Sequence, residues 1–178
     1  MPQLTATETP AAVCYGDSAY LEASGALTYT WAPASGLAVT TGANIYGHPV
    51  LTTSYTVTGT DGIGCTAQDS VTLVIYPLPN VDVLPVSPAI CIGNSVVLTA
   101  SGANNYTWAP ATGLSATTGA TVTANPTVTT TYTITGTALS GCTNTTTVTV
   151  TVNPAPTISA LPAAPSFCAG GSVAITAS

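Results

Sequence analysis

Hydrophobic and polar side chains alternate at every second position along much of this chain. In residues 147–152 threonine alternates with valine, and in residues 131–136 it alternates with tyrosine, isoleucine and glycine. A period of two predicts strands with one buried face. The chain has 36 threonines, and the β-branched threonine side chain favours a pleated surface. Since no segment shows a convincing helical stripe, we expect an all-β protein.

The alternating pattern repeats along the chain with a period of 77 residues. The cysteines at positions 14, 91 and 168 are 77 apart, as are those at 65 and 142, and an ungapped alignment of residues 14–90 with 91–167 has 38 identities. Residues 168–178 match 91–101 in the same register. This predicts repeat 1 in residues 1–77, repeat 2 in residues 78–154, and strands A and B of a third repeat in residues 155–178. The third unit stops part-way, so we expect a longer array.

About seven strands in 77 residues, with tryptophan on the third, are typical of an immunoglobulin-like β-sandwich. Trp31 and Trp108 then lie in the core on strand C, and Tyr55 and Tyr132 open strand F as tyrosine-corner residues. The Pro-x-Pro segments after strand G predict short, stiff linkers. For repeat 2 the pattern assigns strand A to 80–84, B to 95–101, C to 105–109, two short strands to 114–125, F to 130–137 and G to 143–153.

Four motifs of repeat 2 together resemble a known kind of repeat. They are Cys-x-Gly-x-Ser-x-x-Leu-Thr-Ala-Ser-Gly-Ala (91–103), Tyr-Thr-Trp-Ala-Pro-Ala-Thr-Gly-Leu (106–114), Thr-Thr-Thr-Tyr-Thr-Ile-Thr-Gly-Thr (129–137) and Gly-Cys-Thr followed by Thr-Val-Thr-Val-Thr-Val-Asn-Pro-x-Pro (141–156). The combination resembles tandem Ig-like/PKD-like repeats of secreted and surface proteins of Bacteroidota, including gliding-motility adhesins. The resemblance implies extracellular stalks or adhesive filaments exported by the type IX route, and it implies no particular ligand.

Charged side chains are nearly absent. The chain has no Lys or Arg and six Asp or Glu, for a formal net charge of −6, and its last 96 residues carry no charged side chain. Without a basic patch we expect no binding of nucleic acid. The same composition rules out a lysine Schiff base, a P-loop lysine and an arginine finger, so we expect no enzyme, no catalytic residues and no cofactor. The longest apolar stretch, residues 71–76, is too short to span a membrane.

A few polar residues are candidates for a site. His48 is the one histidine, and without a matching nucleophile it is expected to be an exposed loop residue. The carboxylates of Asp17, Asp61 and Asp69 suggest calcium. Their counterparts in repeat 2 are Asn, Ala and Thr, so we expect no repeated metal site. The two tryptophans, if exposed, would suit a carbohydrate platform, but a core position is the expectation.

Five cysteines without C-x-x-C spacing predict disulfides in an oxidising compartment. Two pairings remain open. One is within repeats, Cys14–Cys65 and Cys91–Cys142. In the other, because tandem stacking places the A–B end of one repeat against the F–G end of the next, Cys14 pairs with Cys142, Cys65 pairs backward, and Cys91 and Cys168 pair forward. The distance limit on a disulfide slightly favours the second pairing.

Two serines are candidate O-glycosylation sites. Ser18 and Ser70 each follow an aspartate and precede a small or apolar residue, which resembles the Asp-Ser/Thr-apolar signal of Bacteroidota. Chance occurrence in a chain rich in Ser and Thr explains the pattern equally well.

The sequence as a whole predicts a structural protein at the cell surface or outside the cell. A near-neutral surface has little charge to keep molecules apart, so we expect self-association into fibres, with further copies of the repeat as partners. Two alternatives remain: a module that binds surface glycans or a protein, and an accessory domain of a larger secreted enzyme.

Overall fold

The computed structural model describes residues 2–158, 160–161, 166, 169–170 and 172–177. Each repeat contains seven strands, and the described residues contain no helix. The strands of repeat 1 are β1 (Thr5–Thr9), β2 (Ala12–Cys14), β3 (Ala19–Ser24), β4 (Thr28–Ala32), β5 (Asn44–Gly47), β6 (Thr53–Thr60) and β7 (Thr66–Tyr76). Those of repeat 2 are β8 (Asp82–Leu84), β9 (Ala89–Cys91), β10 (Val96–Ser101), β11 (Asn105–Ala109), β12 (Thr121–Ala124), β13 (Thr130–Thr137) and β14 (Thr143–Asn153).

The strands of each repeat form two sheets. In repeat 1 the orders are β1-β3-β5 and β2-β7-β6-β4, and in repeat 2 they are β12-β10-β8 and β11-β13-β14-β9. All pairs are antiparallel except β2 with β7 and β9 with β14, which are parallel. Strand A, predicted as one strand over 80–84, is therefore two strands, one in each sheet. Pro85 lies between them, and its missing N–H removes a donor from the ladder.

The segment predicted to hold two short strands, 114–125, contains only β12. The rest forms isolated bridges, Thr107 with Thr118 and Leu114 with Ala124. The backbone near Thr117 runs beside strand β11, where the Trp108 amide donates to the Thr117 carbonyl at 2.8 Å. Each of these bridges joins a single pair of residues, which is too short for a second strand.

Alternate side chains of the two sheets meet in a separate core for each repeat. On β3 the residues Ala19, Leu21 and Ala23 are buried while their neighbours are not. The core of repeat 1 contains Val13, Ala19, Leu21, Ala23, Trp31, Ile45, Tyr55, Val57, Val71 and Leu73. That of repeat 2 contains Val81, Val83, Ile90, Leu98, Ala100, Tyr106, Trp108, Val122, Ala124, Tyr132, Ile134, Val148 and Val150.

After repeat 2 the structure describes one further strand pair. β15 (Ala160–Leu161) pairs antiparallel with β16 (Thr176–Ala177), with Ala160 opposite Ala177. Subtracting 154 from these numbers gives Ala6 opposite Ala23, which is the register of β1 and β3. That this segment begins a third repeat stays a prediction, and the matching register supports it.

Candidate functional site at the junction of the repeats

The two repeats meet where strand β7 ends and the linker begins. Cys14 ends β2 and pairs with Tyr76, the last residue of β7, so it lies beside the start of the linker. Cys142 lies in the turn between β13 and β14, at the end of repeat 2 that the linker enters. Tandem stacking therefore brings one cysteine from each repeat to the same junction.

A disulfide joins Cys14 to Cys142 in the structure. Their Cα atoms are 5.6 Å apart and 128 residues separate them in the chain. This is the inter-repeat pairing of the two that the sequence left open. Cys142 is 1% exposed, so the sulfur bridge is covered on the side of repeat 2. The junction holds the two sandwiches together by a bond that needs no charged residue.

Backbone and side-chain contacts complete the junction. The Asn144 Nδ2 atom donates to the Pro79 carbonyl at 3.0 Å, which ties the linker to strand β14. A cleft of about 360 Å³ beside the disulfide is lined by residues of both repeats, namely Cys14, Tyr15, Asp17, Leu78, Gly141, Cys142 and Thr143. Because the residues around it come from both repeats, this cleft exists only while the repeats are stacked.

Cys65 and Cys91, the two other described cysteines, carry free thiols. Cys65 lies in the turn between β6 and β7 and is half-buried, and Cys91 ends β9 and is exposed. Cys65 corresponds to Cys142 and Cys91 to Cys14, so each is one half of a junction like the one observed. Pairing within the repeats is absent here. Cys168, predicted to pair forward, lies outside the described residues.

The predicted framework residues are all buried. Trp31 and Trp108 are each 3% exposed, and Tyr55 and Tyr132 are 0% exposed. The indole Nε1 atoms donate to the carbonyls of Gly42 and Gly119 at 3.0 and 2.8 Å. The tryptophans thus lie in the core and offer no platform for a sugar.

The tyrosine-corner prediction is wrong in one respect. In a tyrosine corner the hydroxyl bonds to backbone a few residues upstream. Here Tyr55 Oη donates to the Ser35 carbonyl at 2.7 Å and Tyr132 Oη to the Thr112 carbonyl at 2.8 Å, each 20 residues upstream. The hydroxyl therefore anchors the loop that follows strand C. Burial raises the pKa of both phenols above the ordinary value of 10.0.

The predicted polar candidates are not brought together. His48 and Asp17 are exposed. Asp61 Oδ1 accepts from the amides of Ile63 and Cys65, and Asp69 Oδ2 accepts from the Ala6 amide at 2.8 Å. These carboxylates stabilise backbone turns and edges. Among the described residues no group of three or more His, Cys, Asp or Glu side chains is placed to hold a metal ion.

Ser18 and Ser70, the candidate glycosylation sites, are both exposed. Ser18 lies in the loop before β3, and Ser70 lies on β7 opposite Thr56. Accessibility is consistent with modification of either hydroxyl. Whether either serine carries a sugar stays a prediction.

Sequence reasoning missed a pair of tyrosines on the outer face of repeat 1. Tyr20 and Tyr46 are cross-strand neighbours whose ring centroids lie 5.3 Å apart, edge to face. Tyr46 is 58% exposed. Desolvation, and then the neighbouring Glu22 carboxylate and Tyr46, raise the pKa of Tyr20. The alignment of the repeats could have indicated this pair, because repeat 2 has Val97 and Thr123 where repeat 1 has the two tyrosines.

Comparison with known proteins gives the fold. No family model and no curated protein matches the chain. The C-terminal 282-residue fragment of intimin, solved in complex with the intimin-binding domain of the translocated intimin receptor, superimposes with a TM-score of 0.52 and 17% identity, over 90% of this chain and 67% of that chain. The chain consists of immunoglobulin-like β-sandwiches.

Two other solved structures have lower scores. Three N-terminal domains of the bacteriophage RB49 outer capsid protein Hoc give a TM-score of 0.45 and 16% identity, over 85% of this chain and 59% of that chain. The N-terminal eight Ig domains of Down syndrome cell adhesion molecule give a TM-score of 0.46 and 15% identity, over 86% of this chain and 25% of that chain. The described residues contain no helix long and apolar enough to cross a membrane.

Proposed function

We propose that this chain is part of an extracellular structural array, in which Ig-like repeats are stacked end to end as a stalk, adhesin or filament on a bacterial surface. The observation that carries the proposal is the disulfide between Cys14 and Cys142. It joins different repeats, so it fixes the position of one repeat on the next in addition to stabilising the chain. Fixed junctions are what a spacer needs to transmit force or hold a distance.

Two further features support this proposal. The side chains that recur in register are framework residues, while the acids of repeat 1 have no acidic counterparts in repeat 2. The sequence resemblance to repeats of Bacteroidota surface proteins supports a place on such a surface, with export by the type IX route. An oxidising compartment is also where a disulfide of this kind persists.

Small-angle X-ray scattering of two matched variants tests the role of the junction. Cys14→Ser removes the inter-repeat bond, and Cys65→Ser removes an equivalent cysteine that is free in the structure. We expect Cys14→Ser to broaden the distribution of interatomic distances, because only the short linker and the Asn144–Pro79 hydrogen bond then hold the junction, and Cys65→Ser to leave it unchanged. If the wild-type chain already has the broad distribution, the fixed spacer is contradicted.

Peptide mapping tests the bond itself. The chain has no Lys or Arg, so trypsin has no cleavage site and pepsin is the suitable protease. A non-reduced digest should contain a peptide pair joined through Cys14 and Cys142. A pair joined through Cys14 and Cys65 would show that the repeats are bridged internally and would remove the basis of the proposal.

A second candidate function is binding of a glycan or a protein by repeat 1. The observation that favours it is the pair of exposed Tyr46 and half-buried Tyr20 with Glu22 beside it, since tyrosine at a surface offers an apolar ring and a polar hydroxyl together. The double variant Tyr20→Val/Tyr46→Thr installs the residues of repeat 2. Loss of binding on a glycan array with unchanged melting would support this function, and an array without bound glycans would contradict glycan binding.

A further inference from the structure

The outer face of the sheet β1-β3-β5 carries a group of side chains that repeat 2 lacks. In one row of cross-strand neighbours Tyr20 lies opposite Tyr46, and in the next row Glu22 lies between Thr7 and Asn44. Residues two apart along a strand point to the same face and are about 6–7 Å apart, so the two rows share one surface. Tyr20 is half-buried and the other four residues are exposed. Two aromatic rings therefore lie beside a carboxylate, an amide and a hydroxyl on an accessible surface.

The two rings do not form a flat platform. Their planes make an angle of 63° at a centroid separation of 5.3 Å, and in such a pair the face of one ring meets the edge of the other. The rings form a corner, which bounds a compact group but gives no common plane on which an extended sugar could stack. Tyr46 is 58% exposed, and an accessible aromatic face attracts a cation through the negative charge of its π-system.

The negative charge beside the rings has no partner of opposite sign among the side chains of this sheet. Glu22 is exposed, and apart from His48 the chain has no basic side chain. Desolvation, and then the Glu22 carboxylate, raise the pKa of Tyr20, so this carboxylate lies close to the phenol. The net charge of −6 also steers cations toward the protein. A positive group that donates hydrogen bonds therefore fits this surface better than a neutral or an anionic one.

We propose that this face binds a guanidinium group, supplied by an arginine of a partner protein. A planar guanidinium stacks on an aromatic face while its edge donates two N–H groups to a carboxylate, and here a ring and the Glu22 carboxylate are neighbours on one surface. The inference rests on the second candidate function and names the chemistry of the partner. A second copy of these residues cannot supply the cation because they include no Lys or Arg, so the occupant is a basic segment outside them.

Repeat 2 has the same backbone frame without the binding groups. The equivalent positions hold residues that are neither aromatic nor charged, namely Val97, Thr99 and Thr123. Their cross-strand partners follow the same register as in repeat 1. A guanidinium at this face of repeat 2 would find no ring to stack on and no charge to pair with, so binding is expected at repeat 1 alone.

Nuclear magnetic resonance titration of the full chain tests the proposal with two matched probes. Acetyl-arginine amide carries the guanidinium, and acetyl-citrulline amide replaces it with an uncharged urea group of nearly the same shape. We expect the arginine probe to shift the backbone amide signals of Tyr20, Glu22 and Tyr46 in a saturable way and to leave those of repeat 2 unchanged. The citrulline probe should shift none of them. Equal shifts with both probes would overturn the proposal, because the charge would then have no role.

Two glutamine variants separate a local effect from a change in net charge. Glu22→Gln keeps the shape of the side chain and one hydrogen-bonding oxygen. Glu8→Gln removes the same charge from a residue opposite Leu21, on the other face of the same sheet. We expect Glu22→Gln to weaken binding of the arginine probe about threefold and Glu8→Gln to leave it unchanged. Equal weakening by the two variants would indicate a general attraction to a negative chain and would contradict the site.

A neutral glycan is the competing occupant of this face, and the same chain distinguishes it. The double variant Tyr20→Val/Tyr46→Thr should abolish binding of the arginine probe, and binding that persists overturns the inference. If the wild-type chain binds a glycan, Glu22→Gln retains that binding and the arginine probe causes no shift, the inference is overturned while the second candidate function stands. If neither the probe nor a glycan binds, both fail. The array proposal rests on the Cys14–Cys142 bond and is unaffected by either result.

Discussion

Repeat 1 and repeat 2 bury the same strand positions but differ in the charge and the tyrosines of their surfaces. Both bury a tryptophan, a tyrosine at the start of strand F, and alternate residues of the same strands. On the surface repeat 1 carries five of the six acids and four tyrosines without counterparts in repeat 2, namely Tyr15, Tyr20, Tyr46 and Tyr76. The difference teaches that the period preserves which positions are buried and where the cysteines lie, while charge and surface tyrosines change from one repeat to the next.

The two repeats also secure their edges with different side chains. In repeat 1 Asp69 on β7 accepts from the Ala6 amide and holds β1, and in repeat 2 Asn144 on β14 donates to the Pro79 carbonyl and holds the linker. Their counterparts are Thr146 and Ala67, which make no such contact in the other repeat. The two contacts therefore hold different segments, and the strand side chain accepts the hydrogen bond in repeat 1 and donates it in repeat 2.

The largest expected effect is loss of a core tryptophan. Trp31→Ala and Trp108→Ala each remove a buried indole and leave a glycine carbonyl without its donor, so we expect a loss of about 3–5 kcal/mol in the free energy of unfolding of that repeat. Because the chain has only two tryptophans, fluorescence of each variant during denaturant unfolding reports on the other repeat. Circular dichroism of the same samples follows the mutated repeat, and a fluorescence transition of the other repeat that shifts as far would show that the repeats unfold as one unit.

The inter-repeat disulfide has the next largest expected effect. The bond closes a loop of 128 residues, which restricts the unfolded chain, so Cys14→Ser should lower stability by about 2–4 kcal/mol. Cys65→Ser is the matched control and should change stability little. Calorimetry should resolve two transitions in Cys14→Ser. A single transition that matches wild type would mean that the bond does not couple the repeats.

Replacing a buried glycine by alanine on strand β6 or β13 should destabilise the two repeats to different extents. A Cβ atom at Gly59 would lie 2.7 Å from Leu4 Cδ1, and one at Gly136 would lie 2.5 Å from Val81 Cγ2. Both added Cβ atoms would also meet an alanine Cβ, Ala26 at 2.7 Å or Ala103 at 2.8 Å. The sites differ because Leu4 can turn its far end away, whereas β-branched Val81 is stiff. Within the usual range of about 1–3 kcal/mol for overpacking, we expect Gly136→Ala to cost more than Gly59→Ala in chemical denaturation. The reverse order would contradict this difference.

Much of the fold follows from the period of the side chains. Residues 105–109, 130–137 and 143–153 were predicted as strands and are β11, β13 and β14, because a buried face marks every second residue of a strand. The all-β class and the sandwich are confirmed in this way. The division of strand A into β8 and β9 was not predicted. The two pieces pair in different sheets, and the side-chain pattern of a three-residue strand does not show which sheet it joins.

The site was less predictable because it depends on contacts between distant residues. The bond from Asp69 to the Ala6 amide spans 63 residues, and the hydroxyl of Tyr132 bonds a loop 20 residues away. Neither contact leaves a local pattern. The cysteine period narrowed the disulfides to two schemes, and tandem stacking with the distance limit on a disulfide favoured the inter-repeat scheme only slightly, because the sequence does not give the distance between the ends of neighbouring repeats.

The smallest effect at neutral pH is expected from the buried phenols. Tyr55→Phe and Tyr132→Phe each remove one hydrogen bond to a loop carbonyl, so we expect a loss of about 0.5–1.5 kcal/mol. The folded pKa of both phenols is raised above the ordinary 10.0. Their contribution to stability is therefore present below pH 10 and is lost as the pH rises through the folded pKa.

Alkaline unfolding of these variants sharpens the comparison between the repeats. In repeat 2, Tyr132→Phe should remove most of the loss of folding stability that occurs at high pH. Tyr55→Phe should remove less in repeat 1, because the pKa of Tyr20 is also raised there. Unfolding followed from pH 9 to 12, with a tryptophan of the observed repeat as the probe, measures both. Equal behaviour of the two variants would show that Tyr20 does not distinguish the repeats.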